Sequence, residues 1–239
     1  MHTRKGMQKG GPAPVTQPGS IDISVKQKRD LARAFSRLLL LVGWLAASIG
    51  LYGPWIDHPT AALTPSGVDM GEFVNFLPDL IVIRRLFYLP PFAIVVSVAL
   101  LIGSRRLGYP RLLQVLGLIL AVLVSLQLLP PAWSPSSLLT TEFRVQTIAL
   151  GICWLLLAGF WLLGRLRAWV AGSLSAVLSL AALVLPTWQL WAAMPAINRV
   201  YGTAPMVGWG FPLCMIGLSI VVLGSVLIVF GTGARRTTS

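Results

Sequence analysis

The sequence predicts an all-α protein, a polytopic transmembrane helical bundle of six spans with both termini cytoplasmic. Three observations predict it. Of 239 residues, 56% are hydrophobic and 11% charged, whereas soluble domains run at about 45–50% apolar and about 25% charged. Six apolar runs, at about 38–56, 86–103, 112–130, 145–163, 169–188 and 211–230, each approach the roughly 20 residues that cross about 30 Å of hydrocarbon. Basic residues also divide unevenly once the N-terminus is placed inside. Fifteen of 19 then lie on inner segments: eight before the first span, then Arg105, Arg106, Arg111, Arg165, Arg167, Arg235 and Arg236. Arg84, Arg85, Arg144 and Arg199 fall outside, as the retention of positive charge on the cytoplasmic side requires. A mean hydropathy of +0.79 excludes soluble enzyme folds, nucleic-acid modules, disulfide scaffolds and disordered chains. The net charge of +12 is explained by topology and by anionic lipid at the cytoplasmic face, not by nucleic acid.

Residues 1–20 are rich in Gly and Pro and read as a flexible cytoplasmic tail. Residues 21–37 read as a basic interfacial helix. Leu31, Phe35 and Leu38 share one face, and Arg29, Arg33 and Arg37 form a stripe, so the segment suits the headgroup plane or serves as a positive flank of span one. That span reads as uncleaved. Small residues at Gly43/Ala47, Ala46/Gly50, Gly172/Ala176 and Ser175/Ser179 let helix backbones approach closely. They mark Gly43, Ala46, Gly50, Gly172 and Ala176 as a surface for packing within the bundle or against a partner chain.

The first outer loop, 57–85, contains a four-residue box, Ser66 to Asp69, that resembles a helix start. Met70, Phe73, Val74 and Leu77 follow at i, i+3, i+4, i+7. They predict a short amphipathic helix on the outer face, with Phe73 and Leu77 as candidate contacts for a partner or for lipid. The last outer loop, 189–210, carries Trp191, Met194, Tyr201, Met206 and Trp209, an aromatic surface suited to a partner or to the membrane interface. Trp55, Trp133, Trp188, Trp191 and Trp209 fall at outer span ends, and Trp161 and Trp169 at inner ends, where indole rings anchor. Spans one, three and five end outward in Pro–Trp, and spans two, four and six end inward in Gly–Arg. This hints at a threefold hairpin repeat, although the same residues belong at any span end. A tail at 231–239 completes the chain.

Chemistry is sparse. No Asp, Glu, Lys, Arg or His lies inside a predicted span, whereas proton relays and ion-coupled transporters use intramembrane charges. The two histidines, His2 and His58, make a poor set of haem or metal ligands. Asp57 beside His58 is not an active site. There is no phosphate-binding Gly-rich loop, and Cys153 and Cys214 form no redox motif. No catalytic residue, cofactor or metal is therefore expected. The expected role is a non-catalytic membrane subunit that binds other membrane chains. The alternative is the permease component of a transporter energised by a separate ATPase. High Arg over Lys and abundant Leu and Ala point to the cytoplasmic membrane of a GC-rich prokaryote.

Overall fold

The computed structural model describes residues 20–57, 64–77, 84–105, 107–129, 140, 143–202 and 205–233, with backbone alone for 20–26, 28, 29 and 231–233. The 1–19 tail, His58, Arg106, Trp133 and residues 234–239 lie outside the described residues. The elements in chain order are α1 (Ser20–Tyr52), β1 (Ile56–Asp57), α2 (Met70–Phe73), α3 (Leu89–Ile102), α4 (Arg111–Ser125), α5 (Arg144–Ala158), α6 (Phe160–Leu163), α7 (Ala168–Tyr201), β2 (Met206–Val207) and α8 (Gly210–Gly233). Turns of 3-10 helix at Val74–Phe76, Arg84–Tyr88 and Leu126–Leu128 join them.

The chain is mostly helical, and five helices are long and apolar enough to cross a membrane: Asp30–Tyr52, Arg84–Ile102, Arg111–Leu128, Ala168–Tyr201 and Gly210–Phe230. The fourth run, 145–163, differs from the expected single span. It forms the 15-residue α5 and the four-residue α6, separated at Gly159. Glycine is a weak helix former, and at Gly159 the backbone leaves the helical region, with φ −91° and ψ 11°. The residues beyond it close on the end of α3. A Cβ added to Gly103 would lie 2.6 Å from the Phe160 carbonyl oxygen, and one on Gly164 would meet the Gly103 main chain.

Two helices run longer than their apolar patterns. The basic segment 21–37 and the first span form one helix of 33 residues, about 50 Å long. No Gly or Pro occurs between Ser20 and Val42, so nothing in the sequence turns the chain where an in-plane helix would have to end. The fifth helix likewise continues past residue 188. It runs for 34 residues to Tyr201, through Pro186 and Pro195. Proline removes a donor and normally breaks a helix, but packing can hold such a helix together in an apolar setting. Here Leu190, Ala193 and Ile197 are fully buried at helical spacing beyond Pro186. The helix ends at Gly202, whose φ of +71° is left-handed and whose N–H returns to Asn198 O at 3.0 Å.

The core centres on α3. Its apolar window is 78% buried, against 33–44% in the other four spanning helices, and it touches α1, α4, α5, α6 and α7. The first and last helices also meet, because α8 packs between α1 and α7. The α1–α8 seam is built from small residues. A Cβ on Gly43 would lie 2.8 Å from Val221 Cγ2, one on Gly50 would fall on the Cys214 main chain, and one on Gly217 would fall on Ala47. Interhelical hydrogen bonds add register. Trp44 Nε1 donates to Ser97 Oγ at 2.7 Å, Trp154 Nε1 donates to Ser125 Oγ at 3.1 Å, and Ser175 and Ser225 hydroxyls meet at 2.9 Å.

From these contacts the helices alternate in direction and the bundle has two distinct ends. The basic end gathers Arg33, Arg37, Arg105, Arg111, Arg165 and Arg167; the capped end carries β1, β2, α2 and the Arg84–Tyr88 turn. At the basic end α1 starts about eleven residues, roughly 16 Å, beyond the end of α8. At the capped end α7 overruns the start of α8 by a similar length.

Candidate functional site

The capped end is closed by the chain itself. Ile56 pairs with Val207 and Asp57 with Met206 in a two-stranded antiparallel ladder, a small β element absent from the all-α expectation. Trp55 is fully buried beneath it and donates Nε1–H to Gly50 O at 3.1 Å. Its ring stands edge-on to Phe211, with centroids 5.2 Å apart. Trp55 is therefore a core residue and not the membrane anchor expected of a tryptophan at a span end. Trp188, Trp191 and Trp209 are exposed, as a lipid-facing or partner-facing ring must be.

The box at residue 66 forms as a turn. The Asp69 carboxylate accepts from the Ser66 hydroxyl at 2.6 Å and from its N–H at 3.2 Å. The helix that follows has only four residues and gives way to 3-10 geometry. Met70, Phe73, Val74 and Leu77 do share one face, but that face is buried in the protein. Phe73 packs on Tyr201 of α7 with ring centroids 6.3 Å apart. Phe73 and Leu77 thus line the cap interior and are not available to a partner. One cluster of charged groups fastens the cap. Arg84 Nη2 lies 2.6 Å from Glu72 Oε1, Tyr88 OH donates to the same oxygen at 2.8 Å, and the Arg84 guanidinium sits 5.3 Å from the Phe143 ring centroid. Among the described residues Glu72, Arg84 and Tyr88 thus tie α2 to the Arg84–Tyr88 turn, as a clasp.

The small-residue faces are also turned inwards. Gly43 and Gly50 are buried against α8, and Gly172 lies against Ser225, Ile228 and Val229 of α8. Ala46 and Ala176 are half-buried beside them. The sequence left open whether these faces met a partner or the bundle; they pack within the bundle. The matching signal on α8 was also legible, because Gly210, Gly217 and Gly224 recur every seven residues.

The basic end is finished differently. Leu31, Phe35 and Leu38 are 72%, 53% and 58% exposed and, with Ala32 and Ala34, form an open apolar face of α1. On another side of the same helix, Arg37 Nη1 donates to Gly108 O at 3.3 Å, tying α1 to the α3–α4 loop. Gly108 has φ +59°, a backbone state suited to glycine, and it brings Tyr109 under α1. The Tyr109 ring lies 6.4 Å from that of Trp44. Burial pushes the Tyr109 hydroxyl pKa up, and the nearby Arg37 charge opposes the rise. Sequence reading missed this convergence, since 71 residues separate Arg37 from Gly108.

Among the described residues no group of three His, Cys, Asp or Glu side chains could hold a metal. Cys153 and Cys214 are free and buried. No family model, curated protein or solved structure matches the chain.

Proposed function

We propose that this chain is a non-catalytic integral membrane subunit of a larger assembly in the cytoplasmic membrane of a prokaryote. In this reading α5 and α6 together make a sixth crossing, both termini are cytoplasmic, and the basic end faces the cytoplasm beside anionic lipid. The observation that carries the proposal is the extension of α1. It continues the first span beyond the bundle, and where it joins the bundle Leu31, Phe35 and Leu38 are exposed. A helix of another membrane chain, laid along that row, would remove the exposed apolar surface at a boundary already rich in arginine. Absence of ionisable side chains from the six apolar runs supports a role by contact.

A photo-reactive side chain at Phe35 in intact membranes tests this. A discrete adduct with one other membrane protein is expected. Adducts with lipid alone would overturn it, as would proton- or sodium-driven flux by the purified chain in liposomes. The unbroken run of α1 from residue 20 into the span favours the permease as a second reading, because a continuous helix can carry force from an ATPase into the bundle. Substrate flux that requires a co-purified ATPase would select it.

A further inference from the structure

We propose that Arg37 of α1 and Tyr109 of the α3–α4 loop form a binding site for a phosphate oxyanion, filled by the headgroup of an anionic phospholipid.

The two side chains are incomplete in complementary ways. The Arg37 guanidinium donates from Nη1 to Gly108 O, but its Nε is buried with no acceptor. Among the described residues no carboxylate lies within ion-pair distance of it. The nearby acid, Asp30, is engaged by Arg33 at 3.2 Å. Tyr109 is 4% exposed, and its hydroxyl has no hydrogen-bond partner. The ring cannot simply swing out to water, because it packs on Trp44, whose indole is held by Ser97.

A buried polar atom without a partner is costly and calls for an explanation. Here both orphans can donate, and one belongs to a permanent cation. One acceptor serving both would take two hydrogen bonds, and the Arg37 charge favours an anion there. A phosphate oxyanion meets both needs, and arginine's planar fork suits it better than an ammonium would. Arg37 as a whole is only partly covered, which leaves a path to its guanidinium. Arg105 and Arg111 flank the same loop and add to the attraction.

Location selects the source of the phosphate. The site lies where α1 leaves the apolar bundle. Inward of Arg37 along α1, Leu38, Val42 and Leu45 are exposed. Acyl chains running from a headgroup at Arg37 toward the bilayer centre would lie along that row, whereas a free phosphate ion would use the polar site alone. The lipid row runs inward from Leu38 and a docked helix would lie along Leu31, Phe35 and Leu38, so the two readings share only Leu38 and are tested separately.

The test uses the full chain, purified and exchanged into mixed micelles of phosphatidylglycerol and phosphatidylcholine. Retained lipid is counted by native mass spectrometry, and thermal stability is followed with and without inorganic phosphate. Phosphatidylglycerol should be retained in preference to phosphatidylcholine. Arg37→Gln should reduce that retention about tenfold, and Tyr109→Phe about threefold, in line with the loss of a charged and a neutral hydrogen-bonding partner. Tyr109→Phe keeps the ring on Trp44, so it decides the matter alone if Arg37→Gln fails to fold. Phosphate-dependent stabilisation that disappears in Tyr109→Phe, without retention of phosphatidylglycerol, would keep the oxyanion site and assign it to the free ion. Equal retention of the two lipids would overturn the proposal. So would wild-type retention in both variants, or the absence of any response to either anion.

Discussion

The two ends of the bundle start from the same problem and solve it differently. Each has one helix that outruns its neighbour by about eleven residues. At the capped end one face of the α7 overhang is covered. Leu190, Ala193 and Ile197 are fully buried, Phe73 reaches Tyr201, and the Glu72–Arg84–Tyr88 clasp and the β1–β2 ladder close the layer. At the basic end, where α1 joins the bundle, Leu31 and Phe35 are exposed. The difference teaches where this molecule is complete. Residues 53–57, 64–77, 84–88 and 205–209 supply cover at one end, whereas the connections at 103–110 and 164–167 are short at the other. Among the described residues nothing covers Leu31 and Phe35, and lipid or another chain would complete that face.

The largest effect should follow a change in the seam on which the capped end is built. Gly50→Leu would force a side chain into the Cys214 main chain, and overpacking of this kind costs about 3 kcal/mol or more. A sharp fall in Tm and in the monodisperse fraction is expected; a variant of wild-type stability would mean that the seam can open. Next, Glu72→Gln removes the charge that Arg84 and Tyr88 share. It should cost about 1–2 kcal/mol by thermal or denaturant unfolding, and no change would show that the clasp does not hold the cap.

At the basic end the effects should be smaller. The Tyr109 hydroxyl titrates at 10.0 when unfolded and higher when folded. The folded state therefore holds the proton more tightly. Its contribution is fully present below pH 10 and is lost as pH rises toward the folded value. Stability should fall by about 1 kcal/mol by pH 11, and Tyr109→Phe should flatten that limb. A profile unchanged in Tyr109→Phe would assign the alkaline loss to other groups. The smallest change is expected for Phe35→Ser, within about 0.5 kcal/mol for the isolated chain. A larger loss would show that the chain covers this face itself, and the contrast between the ends would collapse.

Much of this architecture was legible in the sequence because lipid imposes length and polarity on every crossing. The runs at 112–130 and 211–230 lie within two or three residues of the described helices. Ends were harder. Pro186 looks like a stop signal, yet α7 passes it because Leu190 and Ala193 find a tertiary surface, which a local pattern does not reveal. The continuity at residue 38 was readable from the missing Gly and Pro, but the change from charged to apolar composition drew the boundary there instead. The face of Met70, Phe73, Val74 and Leu77 was identified correctly, but not whether protein or lipid covers it. The same ambiguity affected Gly43 and Gly50, since a small face fits a partner as well as a neighbour. Arg37 and Tyr109 lie far apart in the chain, and only the packing of α1 on the α3–α4 loop brings them together.

The seam between α1 and α8 also sets a schedule for assembly. Gly50 is made some 160 residues before Cys214, the residue it rests on. At about 5–20 residues per second, synthesis leaves the first helix waiting for roughly 8–30 seconds. During that time its glycine face has only lipid, or the insertion machinery, to lie against. The ring of helices closes last, when α8 arrives, so a chain truncated before residue 210 would lack the element that joins its beginning to its end. Until then α1 has a second adhesive side, and the growing chain is most open to the wrong neighbour just before α8 is made.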